Sequence, residues 1–414
     1  MATPTRWQAT IASALCMAVG MSAVFMGSFP VFLEPVSTEL GWGRATFPQI
    51  ITVVSVSGAL LMPFAGRLID RIGVRWPVAA GLAFVSLGMF LLSFLHNAGF
   101  SFWIGALCLG AGAAFSGPPA FVGLVSSWHD RNRALALGIV LSVAPACAQA
   151  IVAPVTQRLI AEFGWRASYR MLAAFIIVVG IAASIAFLHP RPSERSDFGP
   201  VTEEGLTGHE ALRTSSFWLL AISSCLASGT LLGLTVHVVA WLTGRGVAAD
   251  TATYVLSVLF LAGIAGAFVA GYVADRTRSI HILQIFYALP IIGLAAMAVT
   301  SALPALLIGA VLFGIGMSAT TGLAPYLVTR YFGLKGSAEI FGILLAMTLV
   351  SIGVAPVLIG IGYDATGAYA MPLTLAAAAV AIATLCVGLA DRASRRRHQA
   401  SPAVCPVLAK EPNI

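Results

Sequence analysis

Apolar stretches long enough to cross a lipid bilayer recur through almost the whole sequence. Twelve can be counted, and each reaches the roughly 20 residues that an α-helix needs to cross about 30 Å of hydrocarbon. Backbone groups in lipid must bond within their own segment, so stretches of this length fold as helices. The predicted spans, numbered 1 to 12 in chain order, are 8–33, 45–65, 76–96, 101–127, 134–158, 168–188, 216–242, 251–274, 280–300, 303–329, 338–361 and 370–390.

The composition excludes a fold that faces water. Hydrophobic residues make up 59% of the 414 residues and charged residues only 9%, whereas a soluble globular domain carries about 25% charged residues. So few charges cannot cover a surface in water, which excludes a soluble enzyme, a nucleic-acid-binding protein and a disordered chain. The predicted fold class is an all-α polytopic membrane protein. The lipid bilayer is its expected surrounding, and no nucleic acid is expected as a partner.

Basic residues divide unevenly between the two sides of the predicted membrane. With the N-terminus placed in the cytoplasm, 18 of the 23 Lys and Arg fall on the cytoplasmic side. Cytoplasmic loops are the ones that carry an excess of Lys and Arg. We therefore expect a multi-pass protein of the cell inner membrane with both termini cytoplasmic. The five basic residues on the opposite side are Arg44, Arg158, Arg166, Arg170 and Arg245.

The chain is predicted to consist of two halves that repeat each other. A polar stretch at 189–213 lies at the midpoint and is expected to be a cytoplasmic linker between bundles at 1–188 and 214–391, with a cytoplasmic tail at 392–414. Two similar six-helix halves are typical of carriers that rock about a midplane site. At an offset of 205, Gly41 matches Gly246, Thr46 matches Thr251, Gly66 matches Gly271, and Asp70-Arg71 matches Asp275-Arg276.

The sharpest motif is Gly66-Arg67-Leu68-Ile69-Asp70-Arg71-Ile72-Gly73-Val74-Arg75, after span 2. It resembles the signature between helices 2 and 3 of the major facilitator superfamily, and Gly271-Tyr272-Val273-Ala274-Asp275-Arg276 resembles its second copy between helices 8 and 9. The resemblance covers essentially the whole chain. It implies the major facilitator fold, in which twelve transmembrane helices form two pseudo-symmetric six-helix bundles.

The resemblance also implies that this motif is a cytoplasmic gate. Gly66 is expected to let two helices approach closely. Asp70 is expected to accept bonds from a helix N-terminus or to pair with Arg131 or Arg133 of the loop between spans 4 and 5. The alternative is that these charges only anchor the helix ends at the lipid headgroups. The candidate gate residues are Gly66, Asp70, Arg71, Arg75, Arg131, Arg133, Gly271, Asp275 and Arg276.

Other loop segments resemble the bacterial branch of monocarboxylate transporters and oxalate–formate antiporters. Transporters of that branch commonly hold a substrate-binding arginine in helix 8, but span 8 carries no charge over 256–267, and span 11 has no Lys or Arg in its interior. A carboxylate would then be held by hydroxyls, amides and helix N-termini. The segments are Leu40-Gly41-Trp42-Gly43-Arg44, Gly164-Trp165-Arg166, Arg330-Tyr331-Phe332-Gly333 and Tyr363-Asp364-Ala365-Thr366-Gly367-Ala368-Tyr369.

A few polar side chains inside the spans are candidates for substrate or proton binding. Histidine changes charge near neutral pH, so His237 in span 7 could couple proton entry to transport, or it could be a neutral histidine bonded to a neighbouring helix. Gln149, Ser116, Thr320 and Thr321 could orient a small polar ligand or tie helices together.

We therefore expect a secondary active transporter that moves a small organic solute by alternating access. The expected solute is a monocarboxylate or related organic acid, with protons as the coupling ion, and the chain is expected to act as a monomer. The alternative is an efflux carrier for drug-like or siderophore-like compounds. No cofactor and no metal are expected, and the lack of a P-loop and of an HExxH motif in the sequence argues against an enzyme. Import and export stay equally open.

Overall fold

The computed structural model of this chain describes residues 6–129, 133–188, 205–277, 279–333 and 335–400. These residues are almost entirely helical. In the N-terminal half the helices are Arg6–Val19, Met26–Leu40, Gln49–Ile72, Arg75–Leu92, Phe100–Ser116, Pro118–Trp128, Arg133–Gly138, Ala144–Phe175 and Ala182–Phe187, with π-helical turns at Met21–Phe25, Ile139–Val143 and Ile176–Ile181. In the C-terminal half they are Gly208–Leu212, Ser215–Thr243, Ala249–Arg276, Ile280–Val299, Leu303–Phe332, Ser337–Thr366 and Ala370–Ala400.

The helices make twelve crossings, as predicted. Eleven segments of the described chain are long and apolar enough to span a membrane. One of them, Leu135–Ala186, has 52 residues, which is about 78 Å of helix and more than twice the thickness of the hydrocarbon core. Gly164 interrupts this segment with φ 76° and ψ 162°, outside the helical region. It therefore separates spans 5 and 6, and the predicted fold class is confirmed.

The two halves end their first spans in the same way. Gly41 after span 1 and Gly246 after span 7 have φ angles of 65° and 82°, a left-handed conformation that glycine adopts at helix ends. In each case the next residue donates its backbone N–H to the carbonyl five residues earlier, at 2.9 Å after span 1 and 3.1 Å after span 7. These glycines are 205 positions apart, so the sequence repeat is also a repeat of backbone geometry.

Within each half, equivalent glycines bring neighbouring helices into backbone contact. A Cβ atom added at Gly88 in span 3 would lie 2.8 Å from the carbonyl oxygen of Gly105 in span 4. A Cβ atom added at Gly293 in span 9 would lie 2.5 Å from the carbonyl oxygen of Gly309 in span 10. Small residues allow this close approach in membrane bundles. Each half is therefore tightly packed around its glycines.

The halves contact each other through spans 1 and 7, spans 2 and 11, and spans 5 and 8. Two hydroxyl groups bridge this interface inside the membrane region. Thr52 of span 2 donates to the carbonyl oxygen of Gly353 in span 11 at 2.6 Å. Ser257 of span 8 donates to the carbonyl oxygen of Ala150 in span 5, also at 2.6 Å. Thr52 and Ser257 are again 205 positions apart, so these two bonds are related by the internal repeat.

The loops gather at two opposite ends of the bundle. At one end, which we call the Arg44 end, the Arg166 guanidinium reaches the Leu95 carbonyl at 3.0 Å and Arg245 reaches the Met297 carbonyl at 2.6 Å. These contacts join the loops that follow odd-numbered spans. The other end, which we call the Arg330 end, holds the loops that follow even-numbered spans.

The Arg330 end contains a buried ion pair that the sequence does not reveal. Arg330 and Asp391 lie 3.2 Å apart, with side chains only 10% and 5% exposed. The last helix runs to Ala400, ten residues beyond the predicted end of span 12. Asp391 therefore packs inside the bundle end instead of leaving it as a loop residue. Asp391 also accepts a bond from Arg395 at 2.8 Å. Removal of Asp391 would therefore be costly, because a buried cation would lose its carboxylate partner.

The glycine contact between spans 8 and 10 generates a testable prediction. A Cβ atom added at Gly266 would lie 2.6 Å from the Cα atom of Ile315. We expect Gly266→Val to lower stability by about 1–3 kcal/mol, because overpacking forces the backbones apart. Gly322→Val is the matched control, since a Cβ there meets no heavy atom within 4 Å. Equal melting temperatures for the two purified variants would contradict the packing.

Candidate functional site

The two halves meet at the Arg44 end through a contact between backbone and carboxylate. Asp364, at the end of span 11, accepts a hydrogen bond from the backbone N–H of Arg44 on Oδ1 at 2.7 Å and from that of Ala45 on Oδ2 at 3.0 Å. Glycines allow this approach. A Cβ atom at Gly43 would overlap the Asp364 carboxylate, and one at Gly360 would lie 2.5 Å from the Arg44 carbonyl oxygen.

The Arg44 side chain lies beside the same contact. Its guanidinium group is 3.5 Å from the Glu34 carboxylate, and the two side chains are 14% and 38% exposed. It also lies 5.7 Å from the centre of the Tyr363 ring. Glu34 in turn accepts a hydrogen bond from the Thr243 hydroxyl of span 7. One guanidinium nitrogen, Nη1, is buried and has no hydrogen-bond partner.

This contact joins two loop segments that are far apart in the sequence, Leu40–Arg44 and Tyr363–Tyr369. Their bonded residues, Arg44 and Asp364, are 320 positions apart. The two segments form the two sides of one closure between the halves. A third quoted segment stays within the N-terminal half. There the Trp165 indole and the Arg166 guanidinium both donate to Glu39 at the end of span 1. The sequence indicated the segments but not that two of them meet.

A cavity of about 170 Å³ lies between the halves near the middle of the bundle, about three helical turns from this closure along spans 2 and 11. Spans 1, 2 and 4 form one wall and span 11 forms the other. The Thr52–Gly353 hydrogen bond lies one helical turn from Ser55 of the lining, toward the Arg44 end. The residues that give the cavity its character are Met17, Met21, Met26 and Met62, together with Ser22, Ser55 and Ser116.

The lining of the cavity is apolar and rich in flexible methionine side chains. Four of the eleven methionines of the chain line it, and none of the described lining residues is charged. Methionine side chains adapt to ligands of different shape. An apolar cavity of about 150 Å³, engineered in another protein, holds benzene. The cavity therefore suits a small hydrocarbon body, and three serines supply the hydroxyl groups of its wall.

A helix N-terminus at the cavity contributes few hydrogen-bond donors. Span 4 breaks at Gly117, as the Gly117-Pro118-Pro119 sequence predicts, and restarts at Pro118. Pro118 and Pro119 have no N–H group, and the N–H of Ala120 already donates to the Gly117 carbonyl at 3.1 Å. The positive end of the helix dipole is present, but the first three residues offer no free donor. This geometry disfavours a carboxylate at this helix N-terminus.

The predicted polar residues do not form one site. Ser116 lines the central cavity and donates its hydroxyl to the Gly112 carbonyl at 2.7 Å. Gln149 donates its amide to the Ser22 carbonyl at 2.6 Å and so ties span 5 to span 1. Thr320 is buried and Thr321 is exposed, and both hydroxyls donate to the Met317 carbonyl in their own helix. A role of these residues in substrate binding stays a prediction.

His237 lies apart from the central cavity, in the core of the C-terminal half. The histidine is 1% exposed and borders a small void of about 10 Å³. Nε2 lies 2.9 Å from the Pro356 carbonyl and Nδ1 lies 3.1 Å from the Tyr369 hydroxyl. A carbonyl only accepts, so Nε2 carries the hydrogen and Nδ1 accepts from Tyr369. The Tyr369 ring packs on Tyr363, which connects His237 to the closure at the Arg44 end.

Much of the predicted gate motif lies outside the described part of the structure. This holds for residue Arg131 and for the side chains of Asp70, Arg133 and Asp275. Among the other candidates, Arg71 is exposed, Arg75 lies 5.6 Å from the Trp76 ring centre and Arg276 lies 4.3 Å from that of Tyr272. Arginine on an aromatic ring suits the headgroup region as well as a gate, so the gate stays a prediction.

The described residues show no close helix contact at Gly66. A Cβ atom added at Gly66 or at Gly271 meets no heavy atom within 4 Å. These glycines therefore do not bring helices together here. Gly123, Gly322 and Gly342, which also lie in the parts of their spans nearer the Arg330 end, are equally free of contact. The close inter-half glycine contacts lie instead at Gly43, Gly353 and Gly360.

Comparisons with known proteins agree with this architecture. The family model of the Major Facilitator Superfamily matches residues 13–338 and 246–409. The sequence is 22% identical to Monocarboxylate transporter 12 of Rattus norvegicus over 412 residues, which cover 92% of this chain and 83% of that protein. It is 25% identical to Monocarboxylate transporter 11 of Homo sapiens over 317 residues, or 74% and 66% of the two chains.

A solved structure shows the same fold. It is the bacterial homolog of the human lysosomal transporter Spinster, in an inward-facing and occupied conformation. The TM-score is 0.70 at 16% sequence identity, with 95% of this chain and 98% of that chain covered.

Proposed function

This chain belongs to the major facilitator superfamily and is a multi-pass membrane transporter, not an enzyme, and we propose that it moves a small organic acid by alternating access. The proposed substrate is a monocarboxylate or a related acid, and protons are the proposed coupling ion. The Arg44 end would face outward from the inner membrane, with both termini in the cytoplasm, because most basic residues then lie on the cytoplasmic side.

The observation that carries this proposal is the closure at the Arg44 end above a cavity that both halves line. Asp364 and the Arg44–Ala45 backbone bind across the halves, and the cavity lies toward the bundle centre from them. A carrier that alternates must be able to close one end while a midplane site stays enclosed by both repeats. Several glycines near the Arg330 end have open space around them. This supports opening of the bundle at that end.

The substrate class is supported by two further observations. Two relatives that match 92% and 74% of the chain carry the name monocarboxylate transporter, and Arg44 places a cation at the end that is proposed to face outward. The cavity itself would hold the hydrocarbon part of the acid. The second candidate is efflux of drug-like or siderophore-like compounds. It is supported by the absence of a cation among the described lining residues.

A disulfide that joins span 2 to span 11 beside the cavity tests alternating access. A Cβ atom at Gly353 would lie 3.2 Å from the Cβ atom of Ser55, slightly closer than the roughly 3.5–4.5 Å of disulfide-bonded cysteines. With the six native cysteines replaced, we expect Ser55→Cys with Gly353→Cys to crosslink on oxidation. Transport into proteoliposomes should then stop and should return on reduction. Ser55→Cys with Gly342→Cys is the matched control, and undiminished transport by the crosslinked pair would contradict alternation.

A ligand screen separates the two substrate classes. Ligands that bind the folded protein raise its melting temperature by mass action, with about 2.7 kcal/mol of stabilisation at a concentration of 100 Kd. We expect acetate, lactate and benzoate to stabilise the purified protein more than acetamide, lactamide and benzamide at two pH values. Stabilisation by neutral or bulky compounds alone would refute the acid and favour the efflux carrier.

A histidine substitution tests proton coupling. If His237 takes up the coupling proton, His237→Gln should flatten the pH dependence of uptake, because glutamine can still donate to the Pro356 carbonyl but does not titrate. His281→Gln is the matched control, since His281 is exposed and bonds only locally to Gln284. An unchanged pH profile of uptake in the His237 variant would assign that histidine a purely structural role.

A further inference from the structure

We infer that the backbone N–H groups of Arg44 and Ala45, with the positive charge of the Arg44 side chain nearby, form a carboxylate-binding site that Asp364 occupies only while the Arg44 end is closed. This inference rests on the proposed function, since the natural ligand would be the carboxylate of the transported acid. It supplies a binding site for that group outside the central cavity, whose described lining residues are uncharged.

The geometry at this site is that of two-point carboxylate recognition. Two successive backbone N–H groups point at one carboxylate, and each oxygen receives one bond, at 2.7 Å and 3.0 Å. Successive N–H groups in a turn form a concave anion site. The structure therefore already shows a carboxylate bound there, and the bound group comes from the other half of the molecule.

The surroundings suit an anion that arrives from water. Asp364 is exposed, so the site opens to solvent when that side chain leaves. Gly43 leaves room for the carboxylate, because a Cβ atom at this position would overlap it. The guanidinium of Arg44 has one buried nitrogen without a partner. The ion pair with Glu34 and the Tyr363 ring hold the guanidinium beside the loop.

Because the two sides of this site belong to different halves, opening and closing of the Arg44 end would exchange Asp364 for a carboxylate from solution. Arg44 and Ala45 belong to the loop between spans 1 and 2, and Asp364 belongs to span 11. Separation of the halves removes Asp364 and frees the two N–H groups for a carboxylate from solution. Closure then returns Asp364, which displaces the bound carboxylate at the end of the interface that leads toward the cavity. Because one carboxylate replaces another, the N–H groups stay bonded in both states.

Acetate binding to variants of the full-length protein tests the inference. We expect Asp364→Ala in detergent to bind acetate roughly tenfold more tightly than the unmodified protein, because the competing side chain no longer blocks the site. Acetate is compared with chloride at equal ionic strength and with acetamide, by calorimetry and thermal shift. Asp250→Ala, which removes an exposed acid from the start of span 8 at the same end, should bind like the unmodified protein.

Further variants make the result decisive. Adding Arg44→Gln to Asp364→Ala should reduce the gain in acetate affinity, because the nearby positive charge is lost while the two backbone N–H groups remain. If Asp364→Ala does not fold, Asp364→Asn serves instead, since its neutral amide competes less with acetate than the native carboxylate does, and a smaller gain is expected. Acetate binding by Asp364→Ala that equals binding by Asp250→Ala, or a gain that Arg44→Gln leaves undiminished, would overturn the inference.

The same experiment separates this inference from the proposed function. Transport of acids by the unmodified protein without an acetate site in the Asp364 variant would overturn only the inference. An acetate site in that variant, in a carrier that transports no acid, would support the site and refute the monocarboxylate proposal.

Discussion

Two hydrogen bonds from side-chain hydroxyls to helix carbonyls connect the two bundles inside the membrane region. Thr52 and Ser257 donate to Gly353 and Ala150 across the halves. Such bonds in membranes contribute only about 0.6 kcal/mol on average, so they align the halves without locking them. Close backbone contacts also occur between the halves at Gly353 and Gly360, as they do inside each half. The joint between the halves therefore consists of weak hydrogen bonds and a few close glycine contacts.

The weak joint explains why closure is concentrated at one end. At the Arg44 end the halves bind through Asp364 and through the Glu34 carboxylate, which the Thr243 hydroxyl reaches from span 7. These are hydrogen bonds to charged groups, which contribute about 1.5–3 kcal/mol each, so a ligand or solvent that competes for them can separate the halves at this end. The Arg330 end instead keeps its buried pair, Arg330 and Asp391, within one half. That pair stabilises the C-terminal half and not the contact between the halves.

The sequence predicted the fold well because the requirements of hydrocarbon are local. Span lengths, the break at Gly117 and the matching glycines at 41 and 246 can each be read from a short window. The closure could not be predicted, because Arg44 and Asp364 are 320 positions apart and lie in segments that read as ordinary loops. The helix approach expected at Gly66 is not among the contacts of the described residues, and the contacts of a glycine depend on the conformation of the carrier. His237 shows the same limit, since the sequence could not place Tyr369 and Pro356 around it.

An uncharged cavity has a consequence for how an acid would cross. A charged group at the centre of a membrane costs at least about 2.5–3.5 kcal/mol, and the described lining offers an anion only hydroxyls and thioethers. For a carboxylic acid the protonated, neutral form then occupies the cavity at lower cost than the anion. A carrier built this way moves a proton with each acid molecule even without a titrating side chain in the cavity wall. The anionic form would be recognised only at the hydrated end, where Arg44 lies, and the loss of its charge would accompany entry into the cavity.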